Sequence, residues 1–231
     1  MKKIITAAAT ILLLAACHKD NTTTSNPNDK THIQFVSASP SEQHPDLYLL
    51  GSSAPQVADF YYYLPTGYDQ PRIADLTVTI KDAAHGTVLT SGPLACSKDS
   101  FYSWFLYDTF PNLKAYLTTD VRLTSIPANK AAVKFVNLCP NGGNLHYRIQ
   151  GGADLSTDLG YAGTTPATST TQYLLMDTGW QNIEVVNSSS VVVSTFQNFY
   201  ARTGAYYTLW TTGYVGGTGD YVPYTGWTED H

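Results

Sequence analysis

The feature that most constrains this 231-residue chain is a repeat inside it. Ile33-Gln34-Phe35-Val36-Ser37-Ala38-Ser39-Pro40 returns as Val133-Lys134-Phe135-Val136-Asn137-Leu138-Cys139-Pro140, an offset of 100 residues. The register persists: Leu47-Tyr48-Leu49-Leu50-Gly51 faces Tyr147-Arg148-Ile149-Gln150-Gly151, and Tyr61 faces Tyr161. Later the offset grows to 105, so that Ser100-Phe101-Tyr102-Ser103-Trp104-Phe105 aligns with Ala205-Tyr206-Tyr207-Thr208-Leu209-Trp210. Matches in one order along two halves mean two tandem copies of one domain, each near the ordinary domain size.

Within each copy the pattern is that of strands. Leu76-Thr77-Val78-Thr79-Ile80 alternates apolar with polar, as a sheet with one buried and one wet face requires, and Ile183-Glu184-Val185-Val186 is its counterpart. Asp82-Ala83-Ala84-His85-Gly86 and Asn187-Ser188-Ser189-Ser190 read as hairpin loops at matching positions, and Pro40 and Pro140 close the opening strands. The expected fold is all-β: two tandem antiparallel β-sandwich domains of about seven strands, immunoglobulin-like or transthyretin-like in outline. The boundaries read as 32–126 and 127–216, followed by an aromatic C-terminal tail, 217–231, that no longer follows the repeat.

The N-terminus predicts a location. Lys2 and Lys3 precede an uncharged run from Ile4 to Ala16, the layout of a signal peptide over 1–16 and too short to cross a bilayer as a helix. Leu14-Ala15-Ala16-Cys17 resembles the lipobox of bacterial lipoproteins, which implies cleavage before Cys17 and lipid chains, such as palmitate, on that residue. Several chains anchor a protein stably where one does not. Residues 17–31 are polar and read as a flexible tether, and His18-Lys19-Asp20 directs the expectation to the outer membrane, with the domains facing outward.

The opening strand ending in Phe-Val-x-x-x-Pro, the strand ending in Gly51 or Gly151, the tyrosine-bearing middle, the central hairpin and the closing aromatic strand together resemble the DUF4397 family, a domain of unknown function. The resemblance covers about 32–216. It implies a secreted or lipid-anchored bacterial protein of Bacteroidetes type with tandem copies, and it carries no activity.

Signals for chemistry are sparse. The sequence holds no Gly-x-Ser-x-Gly, no His-Glu-x-x-His and no phosphate-binding glycine loop, and its six histidines fall in no catalytic motif. Glu42, Glu184 and Glu229 make a poor supply of paired carboxylates for glycoside hydrolysis, and no alternating acidic loop offers a calcium site. Catalytic residues, cofactors and metals are therefore expected to be none. Losing Lys2 and Lys3 moves the formal charge from −5 to −7, which disfavours nucleic acid as a partner. Cys96 and Cys139 are open to two readings, a disulfide or two small buried apolar residues. Aromatic residues abound: Phe60-Tyr61-Tyr62-Tyr63, the set Tyr206, Tyr207, Trp210 and Tyr214, and the tail with Tyr221, Tyr224 and Trp227. Most read as sandwich filling; the three tail rings are the candidate ligand-binding residues, since the repeat leaves them no place in the core. The function expected is a non-catalytic envelope protein displaying two sandwiches for binding or adhesion to an extracellular protein or glycan. The alternatives are a pilin-like assembly subunit that exchanges strands and a glycan-binding component of a nutrient-uptake system.

Overall fold

The computed structural model describes residues 26, 28–40, 44–50, 52–163 and 172–230; the signal peptide expected over 1–16, Cys17 and most of the expected tether lie outside the described residues. The chain forms two β-sandwiches. The first contains β1 (His32–Ser37), β2 (Asp46–Leu49), β3 (Pro65–Asp69), β4 (Thr77–Lys81), β5 (Val88–Pro93), β6 (Phe101–Tyr107) and β7 (Lys114–Thr119). The second contains β8 (Lys130–Asn137), β9 (Leu145–Ile149), β10 (Leu174–Asp177), β11 (Gly179–Asn187), β12 (Val192–Ala201), β13 (Tyr206–Thr212) and β14 (Tyr224–Asp230). The sheets are β3-β1-β6-β7 with β2-β4-β5, and β10-β8-β13-β14 with β9-β11-β12, so the halves correspond strand for strand.

One pairing departs from the antiparallel expectation. β1 lies parallel to β6, with Phe35 opposite Trp104, and β8 lies parallel to β13, with Phe135 opposite Leu209. After β1 the chain builds the outer sheet and β3 before it returns, and so long a connection can bring a strand back in the same direction as a hairpin cannot. The two hairpin loops form where the sequence puts them. Asp82 accepts the Ala84 N–H at 2.8 Å, and Asn187 accepts the N–H groups of Ser189 and Val191, each at 3.0 Å.

The tail is the larger correction. β14 runs beside β13 as β7 runs beside β6, pairing Trp227 with Leu209 as Leu117 pairs with Trp104. The repeat therefore continues to the chain end, with Leu117-Thr118-Thr119-Asp120 returning as Trp227-Thr228-Glu229-Asp230. A further lengthening of the β13–β14 connection and the exchange of Leu117 for Trp227 hide the match. The second sandwich thus extends through 217–230 instead of closing at 216.

Burial shows how the sandwiches meet. β4 alternates, with Val78 and Ile80 buried and the residues between them partly wet. In β1, β6, β8 and β13 every residue after the first is buried, which requires cover on both sheet faces. One face packs on its own outer sheet, giving one core around Phe35, Ile80 and Trp104 and another around Phe135, Tyr147 and Leu209. The other faces its counterpart across the domain boundary. There Val36, Ala38, Phe105, Tyr107 and Tyr116 of the first domain join Val136, Leu138, Tyr161 and Trp210 of the second in a third buried cluster.

This joint has an approximate two-fold character. Phe105 and Trp210, repeat partners, meet edge to face with ring centres 5.6 Å apart. Gln34 donates to Asp230 Oδ1 at 2.7 Å, and its repeat partner Lys134 forms a buried ion pair with Asp120, the partner of Asp230. Ser103 donates to Asp120 at 2.8 Å and Thr208 to Asp230 at 2.5 Å, again in corresponding positions. Gly226 faces Trp210, where an added Cβ would lie 2.5 Å from the indole Cζ2; the first domain puts Tyr116 beside the smaller Phe105. Complementary sizes in the two halves fill one space.

A second polar group at the joint is sensitive to acid. Asp108 accepts from Tyr214 at 2.5 Å and from Tyr161 at 3.3 Å and pairs with Lys114 at 2.8 Å. Burial alone would raise its carboxyl, but Lys114, Tyr214 and the Thr109 N–H outweigh it and hold the group below the usual carboxylate range. A carboxyl depressed in the folded state contributes stability above its unfolded pKa and loses it as pH falls through the folded one. The melting temperature of the wild type is therefore expected to drop more steeply below about pH 4 than that of Asp108→Asn, compared by thermal scans across acid pH.

Cys96 and Cys139 are free thiols. Cys139 is buried in the second core and Cys96 packs half-buried on the first, so the disulfide reading falls and the small-apolar reading stands. Burial pushes the Cys96 thiol up to about 11, leaving it little thiolate at neutral pH.

Candidate functional site: an aromatic groove on the second domain

The free margins of the two sheets of a sandwich leave a slot between them. In the second domain that slot lies between β12 and β14 as a groove of 330 Å³ lined by Trp180, Phe196, Asn198, Phe199, Tyr200, Arg202, Tyr207, Trp227 and Glu229. Its floor is core. Tyr207 is buried and accepts the Arg202 N–H at 3.0 Å, and Phe199 meets Tyr207 edge to face at 5.0 Å. Its rim is open. Trp180 is 71% exposed, Tyr200 51% and Trp227 42%, although aromatic rings in water gain nothing from being there.

Strand register explains the placement. Trp180 on β11 and Tyr200 on β12 are directly opposed, and their ring centres stand 5.0 Å apart. Trp227 approaches from the other sheet and sits 5.8 Å from both Phe199 and Tyr207. Beyond the rings, the guanidinium of Arg202 pairs with Glu229 at the rim.

The first domain supplies an internal control. Its slot, 260 Å³, is lined by Val78, Leu94, Ala95, Trp104 and Leu117 among others. Tyr102 accepts the Ser97 N–H at 3.0 Å, the counterpart of the bond between Tyr207 and Arg202, which fixes the correspondence. Hence Tyr200 stands where the first copy has Ala95, Arg202 where it has Ser97, and Trp227 where it has Leu117. The fold forms this slot without exposed rings, so packing does not demand the ones in the second domain.

The structure separates the three tail residues named from the sequence. Trp227 lines the groove. Tyr224 is instead at the domain joint, 5.1 Å from Tyr63 and 6.0 Å from Tyr62, and Tyr221 lies over Tyr214 at 6.4 Å. Sequence reading missed Trp180, Tyr200 and Arg202. Trp180 opens β11 and Tyr200 nearly closes β12, so a strand pattern marks them as ordinary; only the comparison of Tyr200 and Arg202 with Ala95 and Ser97 could have singled them out. Of the other aromatic runs, Phe60 is buried in the first core, Tyr61 stands half exposed beside His44 at 4.2 Å, Tyr63 is half exposed against Tyr224, and Trp210 fills the joint.

The remaining polar surface shows less organisation. In a broad depression His146 holds Asp158 at 3.1 Å, while Ser156 uses its hydroxyl to accept the Tyr147 N–H. Among the described residues no three His, Cys, Asp or Glu side chains are placed to hold a metal, and no helix is long and apolar enough to cross a membrane.

Against known proteins, no curated sequence matches. Among solved structures, a crystal structure of a candidate adhesin from Bacteroides ovatus aligns over 82% of this chain and 89% of its own, at 6% identity and a TM-score of 0.21. That likeness is too slight to inform fold or function. The sequence model of a domain of unknown function, DUF4397, matches residues 31–148, from the opening of β1 through most of β9 and so over more than half of the chain. With the first sandwich matched whole and the second built on the same strand order, the chain belongs to the DUF4397 family.

Proposed function

We propose that this protein is a non-catalytic envelope lipoprotein, held in the outer membrane by lipid on Cys17 and facing outward, that binds an extracellular ligand through the groove on its second domain. The observation that carries the binding role is the contrast between the two copies: Trp180, Tyr200 and Trp227 open to water where the first sandwich makes do with Ala95 and Leu117. Large exposed rings cost nothing to lose unless something covers them, and rings of this kind anchor recognition. The buried joint supports a display role, because it ties both sandwiches into one body that the polar tether can hold away from the membrane. Both sandwiches carry the same seven strands, including the terminal β14, so a missing-strand mode of assembly gains no support among the described residues.

The test joins location to binding. Cells producing the wild type, Cys17→Ala or Trp180→Ala/Tyr200→Ala are treated with added protease and assayed for retention on immobilised extracellular polysaccharides and matrix proteins. The wild type is expected to be shaved and to retain cells, Cys17→Ala to enter the medium, and the ring variant to stay on cells yet retain fewer of them. A wild type protected until the outer membrane is opened refutes surface display, and a ring variant that retains cells like wild type refutes the groove.

A further inference from the structure

We infer that the groove ligand is a neutral glycan, a reading that rests on the binding role proposed above and adds its chemical class. The first argument is the surface the groove offers. Trp180 and Tyr200 present adjacent rings at 5.0 Å, tilted by 52°, and Trp227 adds a third from the opposite sheet. A pyranose carries C–H bonds on its faces and hydroxyls around its edge, so it can lie on such rings while its rim stays polar; the ring quadrupole, negative on the face, favours those polarised C–H groups.

The second argument is the polar complement. Arg202 and Glu229 pair with each other, which leaves their end of the groove without net charge while exposing spare guanidinium N–H groups and carboxylate lone pairs. Hydroxyls both donate and accept, and match such a pair. An anionic ligand would have to displace Glu229, and a hydrocarbon chain would strip water from Arg202, Glu229 and Asn198 with nothing in return.

The third argument weighs against strand addition, the commonest peptide mode, on the β12 side of the groove. A strand added to β12 would need a straight edge of free backbone groups. Asn198 has a left-handed φ of 58°, and the β11–β12 ladder slips register between Gln181 and Ile183. A bulged strand of this kind is a poor template. The groove volume of 330 Å³ suits a small section of a sugar chain.

The experiment is affinity electrophoresis of the lipid-free two-domain protein, beginning after Cys17, in gels containing a neutral glucan, mannan, galactan or xylan, with polygalacturonate as the anionic control. Binding of phosphatidylcholine vesicles and of a pool of unstructured peptides is measured in parallel. Expected is retardation in at least one neutral gel, weakened about tenfold or more by Trp180→Ala/Tyr200→Ala at unchanged melting temperature. Since Trp180 and Tyr200 are largely exposed, that variant keeps its core. Retardation in no neutral gel, or retardation that the ring variant keeps, overturns the glycan assignment. Ring-dependent binding of peptides or vesicles in its place overturns the glycan and leaves the binding role standing; ring-independent behaviour towards every probe overturns both.

Discussion

Replacing Lys134 by alanine is expected to cost about 3–5 kcal/mol of folding stability, the penalty for leaving one member of a buried ion pair alone. Lys134 is completely buried at the domain joint, in contact with Asp120 and 2.8 Å from Thr118 Oγ1. Burial pulls its ammonium down to about 8, with Asp230 pushing the other way, and the Asp120 carboxylate in contact with it favours the charged form. Without it the Asp120 carboxylate stays buried among Tyr68, Ser103 and Thr118, neutral donors that do not balance its charge. The repeat suggests the milder change. Gln34, in the same position of the other half, holds Asp230 through an amide, so Lys134→Gln should cost less than Lys134→Ala. Denaturant titration of the three proteins settles the order; equal losses for Gln and Ala would show that the charge, not the donor, holds Asp120.

The second large effect belongs to Trp210. Truncation to alanine should cost about 3–5 kcal/mol, because the side chain is wholly buried and its loss opens a cavity across the joint from Phe105 and above Gly226. Trp210→Phe leaves a smaller void and should be far gentler, for two reasons. Phenylalanine already fills the matching position as Phe105, and the indole N–H of Trp210 is buried with no acceptor among the described residues, a cost that phenylalanine removes. Calorimetry adds a distinct readout. Each sandwich has a core of its own, so weakening the joint should split a single unfolding transition into two. A Trp210→Ala protein that still unfolds in one step at an unchanged temperature would refute a joint that couples the domains.

Legibility in the sequence followed the length scale of each interaction. The alternation of Leu76 to Ile80 reports the local period of a strand, and the turn residues at Asp82 and Asn187 report local backbone needs, so strands and hairpins could be read directly. Direction was another matter. Whether β6 lies parallel or antiparallel to β1 depends on the path of some sixty intervening residues, and no side chain in either strand records it. Spacing carries the repeat only to 216, because the register of β14 depends on its hydrogen bonds to β13, which tolerate a longer connection and the change from Leu117 to Trp227.

The sequence by itself determined that this is an all-β chain of two like halves, because periodicity and repetition are properties of the order of residues. The proposed lipid anchor at Cys17 likewise rests on the order of residues alone. Only the tertiary structure decided that Gln34, Lys134, Asp120 and Asp230 belong to one buried joint, and that Trp180, Tyr200 and Trp227 line one groove. Those residues sit on different strands and come together through sheet register and the packing of one sheet on another, relations set by the whole fold and by no local stretch of it.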